Sequence, residues 1–121
     1  MVIRYASMIL SIAGLLALLL GLLFWVGIAM NFISLHMLLG LLAVAALWLI
    51  GVGQAIAKGG SWAIAIIALV TGALTLYVGL YQSAMIVGAS HWVIQVIHLV
   101  LGVLIVGLGH MATARYRKNQ S

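Results

Sequence analysis

Apolar residues fill this chain in four long runs, separated by short breaks where polar residues and glycine collect. The runs extend from about Tyr5 to Met30, Phe32 to Ala57, Ser61 to Gln82 and His91 to Ala114. The breaks fall at Met30-Asn31, at Lys58-Gly59-Gly60-Ser61 and across Gln82 to Ser90. A helix crosses the hydrocarbon core of a bilayer with about 20 apolar residues, whereas a barrel strand alternates and is about half as long. Inside hydrocarbon each span must satisfy its own backbone polar groups. The pattern therefore predicts an all-α membrane protein. It is a single four-transmembrane-helix bundle over residues 1–121, with helices at about 5–30, 32–57, 61–82 and 91–114 and a short basic tail at 115–121.

Composition narrows the chemistry. Of the 121 residues, 68% are hydrophobic and 4% are charged, against about a quarter charged in a soluble domain. There is no Asp or Glu, hence no carboxylate for acid–base work, for a catalytic triad or for calcium or magnesium. There is no Cys either, which excludes disulfides, zinc–thiolate and iron–sulfur sites and covalent haem attachment.

The net charge of +5 comes from Arg4, Lys58, Arg115, Arg117 and Lys118. These are scattered over the chain ends and one loop, so they read as topology signals and not as a nucleic-acid surface. With four crossings all five fall on one side, and basic loops stay in the cytoplasm. The expected location is a bacterial inner membrane, with both termini cytoplasmic and the Asn31 turn and the Gln82–Ser90 loop outside. The first apolar run exceeds the 7–15 residues of a signal-peptide core and is expected to remain as a membrane anchor. The basic residues of the tail suit anionic headgroups. Trp25, Trp48, Trp62 and Trp92 lie mostly near span ends, as an aromatic belt requires.

Helices 2 and 4 share a local pattern. Leu35-His36-Met37-Leu38-Leu39-Gly40 and Ile97-His98-Leu99-Val100-Leu101-Gly102 are each an aliphatic residue, His, three apolar residues and Gly. The preceding helices echo one another more weakly, as Ala17 to Gly21 and Ala68 to Gly72. The expectation is two pseudo-repeated helical hairpins, with helices 2 and 4 facing each other and both histidines at similar depth near the outer end. Position i+4 lies on the same helix face as i, so Gly40 and Gly102 follow the histidines one turn deeper, where a side chain would collide with a flat macrocycle. On helix 4, His91, Gln95, His98, Gly102, Ile105 and Gly109 fall within an arc of about 80° at 100° per residue. Polar residues in spans usually face the bundle interior.

Haem held between His36 and His98 is one reading of this pattern; a hydrogen-bonding structural pair, a metal-ion site and a proton relay are others. His91 and Gln95 are the further candidates at the cofactor. His91 stands near the outer surface as a propionate partner or a fallback ligand, among the donors Asn31, Ser34, Gln82, Ser83, Ser90 and Trp92. His110 is off the stripe and near the cytoplasmic end, where an interfacial role is expected. Ser7, Ser11, Gly14, Ala17 and Gly21, together with Gly72 and Gly79, read as helix-packing positions. Thr71 and Thr75 read as residues that bond to their own helix carbonyls or, as the second reading, fix an imidazole tautomer.

Paired helical histidines in a four-helix membrane bundle resemble the membrane-embedded b-type cytochromes, in the broad sense that takes in cytochrome b561-like and hydrogenase-type b subunits. The resemblance rests on His36 with Gly40 and His98 with Gly102. It implies non-covalent haem b with two histidine ligands and electron transfer to or from a quinone or a redox partner protein. It departs from the two-haem pattern, because Trp48 stands where helix 2 would carry a second ligand. The leading expectation is thus an electron carrier, not an enzyme, embedded in lipid and compatible with a homodimer. A haem-free structural or assembly subunit and a small transporter are the competing readings; the transporter lacks the membrane carboxylate that proton-coupled exporters of this size use.

Overall fold

The computed structural model describes residues 2–82, 88 and 90–120. Four helices account for most of them: α1 (Val2–Trp25), α2 (Ile33–Ile56), α3 (Trp62–Tyr81) and α4 (Trp92–Gln120). All four are long and apolar enough to cross a membrane. Around the bundle α1 packs on α2 and α4, α3 packs on the same two helices, and α2 touches α4 across the middle.

The first helix ends five residues earlier than the apolar run suggests. Gly27 takes a left-handed φ of 79°, and the N–H groups of Gly27 and Ile28 donate to the carbonyls of Phe24 and Leu23 at 3.0 and 2.9 Å. That is the Schellman arrangement, which glycine supports because it has no Cβ. One 3-10 turn, Met30–Phe32, then leads into α2. Since Val26 to Met30 is as apolar as the helix itself, hydrophobicity carries no mark of this stop. At the other extreme α4 runs to Gln120, through the basic residues expected in a tail. Two side chains tie it down: Arg115 and Asn119 donate to the Gly59 carbonyl at 3.3 and 2.9 Å. Arg117 and Lys118 in its last turn also suit the negative end of the helix dipole.

The turn between α2 and α3 is built around Gln54, which is buried. Its Nε2 donates to the carbonyls of Gly51 (2.9 Å) and Ser61 (2.7 Å), and its Oε1 accepts from the Ser61 N–H at 3.0 Å. Ser61 caps α3 by accepting from the Ile64 N–H through its hydroxyl. A Cβ on Gly60 would overlap the carbonyls of Gln54 and Ala55, so the chain passes here only as glycine.

The interior is made of small residues. Ala6, Ala13, Ala43, Ala46, Ala68 and Ala112 surround the larger Leu10, Val44, Leu47 and Ile50. Large aliphatics face outward instead, among them Ile12, Leu15, Leu38, Leu49, Ile66, Val70 and Val103. Small residues let helix backbones approach closely, and lipid tails accept the large ones, so this inverted distribution is what helix packing in a bilayer favours. Trp48 is part of the packing and not of a belt: its Nε1 donates to the Ala68 carbonyl at 3.2 Å, and its ring fills the space left by Gly72. Trp25, Trp62 and Trp92 are exposed near helix ends.

Candidate cofactor-binding site

His36 lies in the first turn of α2 and His98 in the second turn of α4. Contact between α2 and α4 brings the two imidazoles together, with ring centroids 6.2 Å apart and planes at 72°. Phe24 stands edge-on to His36 at 5.3 Å between centroids. Both Nδ1 atoms are buried, and among the described residues they are the buried side-chain nitrogen or oxygen atoms with no hydrogen-bond partner. Buried polar atoms are normally partnered; these two are not, and they belong to neighbouring rings packed edge to face.

The rings border a partly open cavity of about 810 Å³ lined by all four helices. His36, His98, Gly40, Gly102, His91 and Gln95 all line it. Its floor is apolar, with Ala43, Val44 and Ile105, and its polar groups collect toward the end where Gln82 and His91 sit. That end is remote from the basic residues, which gather where the N-terminus of α1, the α2–α3 turn and the end of α4 meet. Thr75 also lines the cavity, but its hydroxyl donates to the Thr71 carbonyl of its own helix at 2.7 Å. His110 is outside it and is exposed; its Nε2 lies 3.3 Å from the Ser11 hydroxyl. Of the outer donors named from the sequence, Ser83 lies outside the described residues.

The glycines nearest the imidazoles are not those the His–Gly spacing suggests. A Cβ on Gly21 of α1 would stand 3.4 Å from His36 Cε1, and one on Gly79 of α3 would stand 3.0 Å from His98 Cε1. Gly40 has nothing within 4 Å of where its Cβ would be, so it does open onto the cavity. Gly102 does not hold free space: Leu18 Cδ2 lies 2.9 Å from its Cβ position. Gly72, the partner of Gly21 in the weak echo between helices 1 and 3, lies against Trp48 and Val44 and not against a histidine. Depth matching across the first hairpin is the signal that would have found Gly21. It lies about one turn before the end of α1, and His36 lies about one turn after the start of α2.

Two imidazoles beside a largely apolar cavity are compatible with a haem. Among the described residues no cluster of three or more His, Cys, Asp or Glu side chains forms. A bare ion would therefore have two protein ligands, short of the four that protein sites usually supply to zinc. A macrocycle provides its own equatorial ligands and needs only the two axial ones. Metal–imidazole bonds of about 2.0 Å, with the half-width of a ring added on each side, put two trans imidazole centres about 6 Å apart. The separation here is 6.2 Å, and the cavity volume is within the roughly 300–1,000 Å³ of cofactor pockets. Comparison of the chain with protein-family models, with characterised proteins and with solved structures finds no match.

Proposed function

We propose that this chain is a membrane-embedded electron carrier that holds one non-covalent haem b between His36 and His98. The observation that carries the reading is the pair of half-buried imidazoles, 6.2 Å apart and each with a buried, unpartnered Nδ1, at the wall of a largely apolar cavity. A haem held by these two histidines would supply one-electron chemistry and favour electron transfer over oxygen binding. His36 and His98 hold it from α2 and α4. Gly21 and Gly79 give the two rings room to turn, and the open face of Gly40 gives room for the macrocycle. Gln82, His91 and Gln95 offer hydrogen bonds to its carboxylates at the polar end, and the apolar floor keeps water out.

The chain sits in a bilayer in this reading, with Arg4, Lys58, Arg115, Arg117 and Lys118 on the cytoplasmic side of a bacterial inner membrane. The haem then lies toward the outer leaflet, and a quinone or a redox protein is its electron partner. A two-hairpin repeat is supported by the recurrence of a glycine against a histidine in each half, Gly21 with His36 and Gly79 with His98. The edge-on packing of Phe24, His36 and His98 favours one second reading, a cofactor-free subunit in which these rings only pack.

The test is haem content per chain in three variants. His36→Ala and His98→Ala are expected to lose at least about nine-tenths of the haem, a cost of about 1.4 kcal/mol or more in affinity. His110→Ala keeps it. Equal haem in all three rejects the assignment, and no haem in the parent favours the cofactor-free subunit.

A further inference from the structure

A second cavity, of about 860 Å³, opens sideways at the basic end of the bundle. Trp48, Leu49, Val52 and Gly53 line its length along one face of α2, and Ile3, Ala57 and Tyr116 close its end. From Ala45 to Ala57 the lining covers about 18 Å at 1.5 Å per residue, close to half of the roughly 30 Å hydrocarbon core. Each closing residue is the chain neighbour of a basic one. Ile3 precedes Arg4, Ala57 precedes Lys58, and Tyr116 stands between Arg115 and Arg117. Arg4, Lys58 and Arg117 are exposed, and the chain has no carboxylate side chain to neutralise them.

We infer that this groove holds an acyl chain of an anionic phospholipid whose phosphate lies among Arg4, Lys58 and Arg117. An apolar slot one leaflet long with positive charge at one end only has the shape and polarity of a single lipid. A partner helix would need an apolar face through both leaflets and has no need of the charge. The inference rests on the membrane embedding proposed above and is independent of the haem.

Trp48 reports on the groove from within. The full chain with Trp25→Phe, Trp62→Phe and Trp92→Phe is reconstituted in phosphatidylcholine vesicles that carry a small fraction of acyl-brominated lipid. Brominated phosphatidylglycerol is expected to quench Trp48 at about a tenth of the concentration that brominated phosphatidylcholine requires, given two or more basic residues at the surface. Arg4→Gln with Lys58→Gln removes that preference, and Val52→Phe, which fills the groove, weakens quenching by both lipids. Equal quenching by the two lipids in the parent overturns the inference while leaving membrane embedding intact. No quenching by either overturns both. Loss of the preference on adding millimolar inorganic phosphate identifies an anion site without a seated lipid and also overturns it.

Discussion

At the basic end of the bundle Gln54 is 1% exposed, yet its amide makes three hydrogen bonds within the α2–α3 turn. Nearby, Thr113 is buried and its hydroxyl donates to the Gly109 carbonyl at 2.8 Å. Leu10 fills the space beside Gly109, and Leu47 and Ile50 are fully buried. At the opposite end the same helices diverge around a cavity, and two buried imidazole nitrogens have no partner. One chain thus satisfies its buried side chains at one end and leaves two polar atoms unanswered at the other. Unpartnered buried polar groups cost about 1–3 kcal/mol each, and the packing of the chain offsets none of that at the two histidines. In the proposed reading the two rings serve a haem and not the packing.

Substitutions can break this contrast from either side. The largest effect is expected where a side chain is forced against the imidazoles. Gly79→Leu and Gly21→Leu should lower haem affinity about ten- to hundredfold, since overpacking costs about 1–3 kcal/mol; haem titration followed by visible absorbance measures it. Gly40→Leu, which projects into the open cavity, should weaken binding about as much by displacing the macrocycle and not the rings. Gly102→Ala should be nearly neutral, because the end of Leu18 can move aside.

At the packed end the effects should fall on stability alone. Leu47→Ala should cost about 2–3 kcal/mol through lost contacts, read by denaturant-induced loss of helical signal in micelles, with haem per folded chain unchanged. Gln54→Leu should cost about 1–3 kcal/mol by the same assay, because the Ser61 N–H and the carbonyls of Ser61 and Gly51 lose their side-chain partner. Smallest of all is Thr75→Val, at about 0.5 kcal/mol or less, because its hydroxyl bonds only to its own helix. A change in haem content with Leu47→Ala or Gln54→Leu would show that the two ends are not separable.

The four helices and the meeting of His36 with His98 were legible because each depends on local information. A run of apolar residues has a length, and a residue near a helix end has a depth. What was not legible depends on relations between helices. Periodicity places Gly40 and Gly102 on the histidine faces of α2 and α4. It does not say that Leu18 of α1 reaches the Gly102 position, or that Gly21 and Gly79 lie against the rings. The end of α1 was hidden because Gly27 stops a helix by its backbone conformation inside an unbroken apolar stretch. In the sequence Gln54 is simply a polar residue close to a helix end. Only the fold of the turn makes it a buried bracket for Ser61.

The most direct test of the central claim is a reduced-minus-oxidised visible spectrum of the detergent-purified chain, with haem quantified as the pyridine haemochrome. Two axial imidazoles predict sharp low-spin b-type bands at about one haem per chain. Absence of haem after reconstitution would contradict the claim and leave the two histidines as packing residues; two haems per chain would contradict the single site and draw His91 or His110 into ligation.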